Sequence, residues 1–223
     1  MQNPPMTPFF ATIISILLAA TQASAATPFS VKPFTDVPES HINFEAIEYL
    51  RQNNVIRGYQ DGTFKPESRI NRAEFLQLIT NPFLLNTSRL NECVREEILG
   101  KDLETVFYKD VAPDDWFAAA VCLASVQKIV NGYPDGTFRP AREVSFVEAA
   151  KMIVNVFAFS TVEEPGEAWF TPYVEQLSKK SAIPTTINAF GESITRGEMA
   201  EMIYRLKANV TTKQTRAAEG LRP

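Results

Sequence analysis

The stretch Gly58-Tyr59-Gln60-Asp61-Gly62-Thr63-Phe64-Lys65-Pro66 returns as Gly132-Tyr133-Pro134-Asp135-Gly136-Thr137-Phe138-Arg139-Pro140. Six residues after each phenylalanine an aliphatic residue opens a new segment, Ile70 before Asn71-Arg72-Ala73-Glu74 and Val144 before Ser145-Phe146-Val147-Glu148. One constant offset also aligns Asp36-Val37 with Asp110-Val111 and Ile47 with Val121. A chain that keeps such a register is built from repeats, and the period bounds the fold before any other pattern does. A third, degraded copy follows at a shorter offset: Trp169-Phe170 matches Trp116-Phe117, and Ile194-Thr195-Arg196-Gly197-Glu198 matches the segments opened by Ile70 and Val144. The unit is about 50 residues.

Each unit reads as helix, loop, helix. The first helix carries apolar residues at helical spacing: Phe44, Ile47 and Leu50, then Phe117, Val121 and Ala124, then Tyr173, Val174 and Leu177. The second helix opens on a capping box in every copy, with Asn71, Ser145 and Thr195 each three residues before Glu74, Glu148 and Glu198. Behind the boxes lie apolar stripes, clearest in Met199, Met202, Ile203 and Leu206. One such unit cannot bury its own stripe, whereas three can by facing inward. An all-α fold of three helix-loop-helix units is expected.

The copies differ in a pattern that bears on function. The first has both loop and arginine (Arg72) but carries Ile42 where the others have Trp116 and Trp169. The second keeps the loop and puts Phe146 where the arginine stood. The third keeps Arg196 and replaces the loop by Pro184-Thr185-Thr186-Ile187-Asn188-Ala189-Phe190.

Length, 45% hydrophobic and 22% charged residues describe a globular chain. The net charge of -4 without a long basic run argues against duplex nucleic acid, which needs a concentrated cationic face. Residues 1–25 form an apolar run ending in Ala23-Ser24-Ala25, the pattern of a cleaved export signal and too short to span a bilayer. Export favours a disulfide between Cys93 and Cys122, worth about 3 to 4 kcal/mol for a loop of roughly 30 residues. A structural zinc site is not expected, because His41 is the only histidine.

The ordered motif FxDV, an aromatic before a helix, GYxDGTFxP and then INRAE resembles the S-layer homology family over Phe34 to Leu206. The resemblance implies three repeats in a pseudo-threefold helical bundle with grooves between neighbours. It also implies a non-covalent anchor that holds exported proteins to a cell-wall polysaccharide, often a pyruvylated one, or to a peptidoglycan-linked polymer. The expected organisation is a signal at 1–25, repeats at 34–80, 108–158 and 159–206, an insertion at 81–107 and a loose polar tail at 207–223. An exported protein of the cell wall, cell surface or periplasm follows, with no cofactor or metal and no membrane span after signal cleavage.

Arg72 and Arg196, at the first turn of a capped helix, are the candidate carboxylate contacts, on the expectation that unpaired backbone N–H groups lie beside them. Tyr59, Tyr133, Trp116 and Trp169 are candidates for stacking on sugar faces, and Asp61 and Asp135 for bonding hydroxyls. Each has a plainer reading as turn, core or surface residue: Asp-Gly is first a turn signal. An enzyme is not expected, because the adjacent acids Asp114-Asp115 and Glu163-Glu164 sit in linkers and the box glutamates are committed to capping. The alternative to an anchor is a surface module that kept the fold for protein interaction and lost the sugar.

Overall fold

The computed structural model describes residues 33–81, Leu84, Cys93 and 107–223. The expected signal segment and, apart from Cys93, the expected helix near Glu92 to Leu99 lie outside the described residues. Among the described residues there are six α-helices and no strand: α1 (Phe44–Gln52), α2 (Arg72–Ile79), α3 (Ala118–Val126), α4 (Phe146–Val156), α5 (Thr171–Lys179) and α6 (Arg196–Lys207). None is long and apolar enough to cross a membrane.

The closest helix pairs are α2 with α3, α4 with α5, and α6 with α1. Each pair joins the second helix of one copy to the first helix of the next, and the last pair closes a ring. The packing unit is therefore the seam between copies rather than the helix-loop-helix itself. The apolar stripes meet in one continuous core that includes Ile47, Leu50, Val121, Ala124, Val174, Leu177, Met199, Met202 and Ile203.

At the centre of the ring the chain makes a closed circuit of backbone bonds. The Ile70 N–H donates to the Ile194 carbonyl at 3.2 Å, Ile194 to Val144 at 3.0 Å, and Val144 back to Ile70 at 3.0 Å. All three side chains are fully buried. Burying three peptide groups on an apolar axis is tolerable only because each donor and acceptor is used. This is why an aliphatic residue precedes every capping box.

The first turns of the second helices are satisfied in the same cyclic sense. Arg72 and Ala73 donate their N–H groups to the carbonyls of Arg142 and Pro140, Phe146 and Val147 to Glu192 and Phe190, and Arg196 and Gly197 to Ser68 and Pro66. The capping boxes take the remaining donors: Asn71 Oδ1 accepts the Glu74 N–H at 2.9 Å, and Thr195 Oγ1 accepts that of Glu198 at 3.1 Å. Glu148 Oε2 accepts both the N–H and the hydroxyl of Ser145. The expectation of free N–H groups beside the arginines is thus corrected: the next copy's loop consumes them.

The repeated loop explains its own motif. The Asp36 carboxylate accepts the N–H groups of Phe64 and Lys65 at 2.8 and 2.7 Å, and Asp110 does the same for Phe138 and Arg139. Lys65 and Arg139 stand at positive φ (58° and 59°), a conformation uncommon for non-glycine residues and held here by these carboxylate bonds. Phe34 and Tyr108 lie against Gly58 and Gly132, where an added Cβ would come within 2.4 and 2.2 Å of their ring carbons. The glycine is required by this close approach. Phe64 and Phe138 are fully buried, as the core reading expects.

Two further points concern the ends of the copies. Cys93 and Cys122 form a disulfide that ties the insertion to α3. The tail is not loose, which corrects the expectation drawn from its polarity. The Arg216 N–H bonds the Ile183 carbonyl, and its guanidinium bonds Ile187 O, Thr185 O and Asn188 Oδ1. Arg222 exchanges backbone bonds with Asn188 and Phe190, and Leu221 is buried in the core. The tail is a strap over the altered loop of the third copy, and its carbonyl-bonding arginine is a polar residue used internally.

Candidate functional site

Ring closure decides which arginine meets which loop. Each seam carries the first turn of one copy's second helix, the loop and second helix of the next copy, and the residue before the first helix of the copy after that.

The first seam, groove A, has a cavity of about 320 Å³. Its walls are Arg72 from the first copy, Gly132 to Pro134 and Glu148 from the second, and Trp169 from the third. The second seam, groove B, has a cavity of about 230 Å³ formed by Arg196, Gly58 and Tyr59, Glu74 and Gln77 of α2, and Trp116. The two grooves present the same chemistry from different copies. The third seam, groove C, is lined instead by Ile42, Thr185, Thr186, Glu201, Arg205 and Lys213, among others. Phe146 serves this seam, since its N–H and that of Val147 bond third-copy carbonyls, and its side chain is fully buried.

The departures scattered over three copies therefore fall in one place. Phe146 in the second copy, the altered loop in the third and Ile42 in the first all belong to groove C. Each remaining arginine meets an intact loop and a tryptophan. Pairing arginine with the loop of its own copy, as linear order suggests, would have left only the first copy with both, and that copy without a tryptophan.

Arg72 and Arg196 are neither surface residues nor freely extended. They are 3% and 7% exposed. Arg72 Nε donates to the Phe138 carbonyl at 2.9 Å, and Arg196 Nε to the Phe64 carbonyl at 2.8 Å. Each guanidinium lies over two rings, Tyr133 and Phe138 for Arg72, and Tyr59 and Phe64 for Arg196. Such a planar cation, oriented by a carbonyl behind it and aromatic faces beside it, offers its Nη edge to a carboxylate. Among the described residues the Nη nitrogens of Arg196 have no protein partner, and no side-chain nitrogen is buried unsatisfied, so they open to the groove. Burial holds the Arg72 guanidinium below its ordinary range; with an arginine that leaves the charge intact.

Groove A carries an additional network. Glu148 Oε1 accepts the Tyr133 hydroxyl at 2.7 Å and Arg142 Nη1 at 2.6 Å, with Arg72 Nη1 at 3.5 Å. Burial would raise the Glu148 carboxyl, but the bonds from Tyr133, the Ser145 N–H and Arg142 outweigh it and hold the group below 4.5. Burial and the bond to Glu148 push the Tyr133 phenol up. Lys151 places its ammonium over Trp169 and Tyr173.

Trp116 and Trp169 are 63% and 50% exposed, so the part of each that packs inward is the smaller one for Trp116 and about half for Trp169. Each rests edge-on against the phenylalanine that follows it, Phe117 or Phe170, and turns a face outward. Asp61 and Asp135 do not line either groove. Each carboxylate accepts the N–H and hydroxyl of the threonine two residues on, and Asp135 also pairs with Arg139. The threonine hydroxyl bond first holds both carboxyls below their usual range. Sequence reasoning missed Arg142, Glu148 and Lys151 as groove residues; Arg142 has Ser68 as its first-copy counterpart, and that contrast was legible.

The S-layer homology domain family model matches residues 33–76 and 107–150. The "Middle cell wall protein" of Brevibacillus brevis is 28% identical over 194 residues, 86% of this chain and 17% of that protein. The "Cellulosome-anchoring protein" of Acetivibrio thermocellus is 33% identical over 143 residues, 64% of this chain and 30% of that protein. The "Surface layer protein" of Brevibacillus choshinensis is 31% identical over 150 residues, 66% of this chain and 12% of that protein. The chain thus spans less than a third of the length of these relatives.

Proposed function

Because this chain carries S-layer homology repeats, we propose that it is a non-covalent anchor of the cell surface that binds an acidic cell-wall polysaccharide in grooves A and B. The names of its relatives, a cell-wall protein and a cellulosome-anchoring protein among them, support surface anchoring. The single observation that carries the glycan reading is that both intact seams combine a buried, pre-oriented arginine with an exposed tryptophan. A carboxylate takes the Nη edge, and a sugar face stacks on the indole. A pyruvate ketal supplies such a carboxylate on an otherwise neutral ring. Arg72 and Trp169 serve groove A, Arg196 and Trp116 serve groove B, and Tyr133 and Tyr59 form their floors. Asp61 and Asp135 hold the loops in shape.

Two grooves on one rigid ring let a single polymer bind twice, and linkage of this kind raises avidity by about 10² to 10⁴ over either site. The chain should sediment with purified wall sacculi and be released when the ketals are hydrolysed under mild acid. Trp116→Ala plus Trp169→Ala, at exposed positions, should abolish retention while leaving thermal unfolding unchanged. Equal retention of this double variant and the parent would overturn the reading. The alternative, a surface module without glycan binding, is favoured at groove C alone. There Arg205 and Lys213 are already paired with Glu201, and Phe146 stands at the position that Arg72 and Arg196 hold in the other two seams.

A further inference from the structure

Grooves A and B look equivalent from the repeat pattern, but the ion pairs inside them differ. Among the described residues, the box glutamate of groove B, Glu74, accepts only the Asn71 N–H, at 3.4 Å, and the Tyr59 hydroxyl has no partner. In groove A the corresponding Glu148 is bonded by both Tyr133 and Arg142, and Tyr133 is also bonded by Arg142 Nη1. The counterpart of Arg142 is Ser68, too short to reach the tyrosine. The counterpart of Lys151 on α4 is the neutral Gln77 on α2, while Arg57, which lines groove B, has the neutral Asn131 as its counterpart in groove A. These two cations offset each other, and the difference rests on Arg142. Both Arg142 and Ser68 lend their backbone carbonyl to the N–H of the groove arginine, so the backbone position is equal and only the side chains differ.

We propose that groove A is the dominant anion site of this protein and that Arg142 is the positioning residue that makes it so. This rests on the reading of the grooves as carboxylate-binding. A carboxylate built into a groove competes with the ligand's carboxylate for the same cation. Glu148 stands 3.5 Å from Arg72 and is the competitor, whereas among the described residues Glu74 makes no ion pair with Arg196, so groove A needs a group that occupies its glutamate. Arg142, half-exposed at the rim, bonds Glu148 Oε1 at the shorter distance of 2.6 Å. It thereby neutralises that carboxylate and leaves the charge of Arg72, reinforced by Lys151, for an incoming anion. It also fixes Tyr133, so the floor under the guanidinium is set before the ligand arrives, and less ordering is needed on binding. Groove B has Ser68 in place of Arg142, and among the described residues its tyrosine hydroxyl has no partner. The ligand class that separates the grooves is a carboxylate-bearing sugar; a neutral sugar, which meets only the indole faces, should not.

The protein contains two tryptophans, one in each groove, so each groove carries its own reporter. Trp116→Phe leaves Trp169 to report groove A, and Trp169→Phe leaves Trp116 to report groove B. Fluorescence titration of the full chain with a panel of 4,6-pyruvyl-ketal hexosides and N-acetylhexosaminides should give a Kd about tenfold tighter in groove A at low salt, or about 1.4 kcal/mol. The advantage should shrink as salt screens it. Arg142→Ser should remove most of the advantage and flatten its salt dependence, Arg142→Lys should restore part of it, and Ser68→Arg should tighten groove B without touching groove A. Equal affinities in the two grooves, or an unchanged groove A in a folded Arg142→Ser variant, would overturn this inference while leaving the anchoring reading intact. Silence of both tryptophans to every ketal in the panel would instead overturn the carboxylate reading, and this inference with it.

Discussion

Replacing Arg196 by alanine should destabilise the protein in the absence of any ligand. Its guanidinium joins the third copy to the first: Nε bonds the Phe64 carbonyl at 2.8 Å, and the plane covers the Tyr59 and Phe64 rings at 4.9 and 4.7 Å. Removing it leaves the carbonyl of a fully buried residue without a partner, costing about 1–3 kcal/mol. The lost ring contacts add about 0.5–2 kcal/mol, and the buried stem about 1–2 kcal/mol. Against this stands the side-chain entropy regained, about 2 kcal/mol. The net loss is about 0.5–5 kcal/mol, and its middle value of about 3 kcal/mol lowers Tm by about 6–12 °C for a domain of this size. Thermal unfolding followed by circular dichroism measures it, and Arg196→Met, which keeps an apolar stem, should fall between the parent and Arg196→Ala. A Tm within about 1 °C of the parent would refute the argument and return Arg196 to the class of solvated surface residues. The same cost attends Arg72→Ala, so a loss of wall binding in either variant is interpretable only beside its unfolding curve.

Acid should loosen groove A first. Glu148 is held below 4.5 in the folded protein, so its contribution is present above that pH and is lost as pH falls through the depressed value. Denaturant unfolding between pH 7 and 3 should show this fall in the parent and a smaller one over the same window in Glu148→Gln. Leu221→Ala should cost about 2 kcal/mol, at the low end for a buried leucine because the strap can detach locally. Limited proteolysis should then trim the tail before the helices unfold, and an untrimmed tail would show that Leu221 does not hold it.

The features legible in the sequence are those fixed over a few residues. Asn71-x-x-Glu74 caps its helix wherever that helix packs, because donor and acceptor are one turn apart. Gly58 and Gly132 mark a tight loop, and the FxDV aspartate marks something that loop needs, although its grip on the backbone of Lys65 and Arg139 appears only when the chain folds back. The tail misled because its arginines and threonines read as solvated, whereas Arg216 spends its donors on carbonyls of the altered loop. Trp116 and Trp169 could be read both as stacking residues and as partly core, since large aromatics favour burial; their exposure, with Phe117 and Phe170 packed inward beside them, shows only in the folded chain.

By itself the amino-acid order determined that three similar units exist, that each is two helices around a loop, and which residues departed from the pattern in each. Only the tertiary structure decided that those departures meet in one seam and leave two grooves whole. The reason is physical. A capped helix still has two N–H groups to satisfy, and it satisfies them with carbonyls from the next copy around the ring. That circuit pairs Arg72 with the loop at Tyr133, and Arg196 with the loop at Tyr59, across separations that no local pattern encodes.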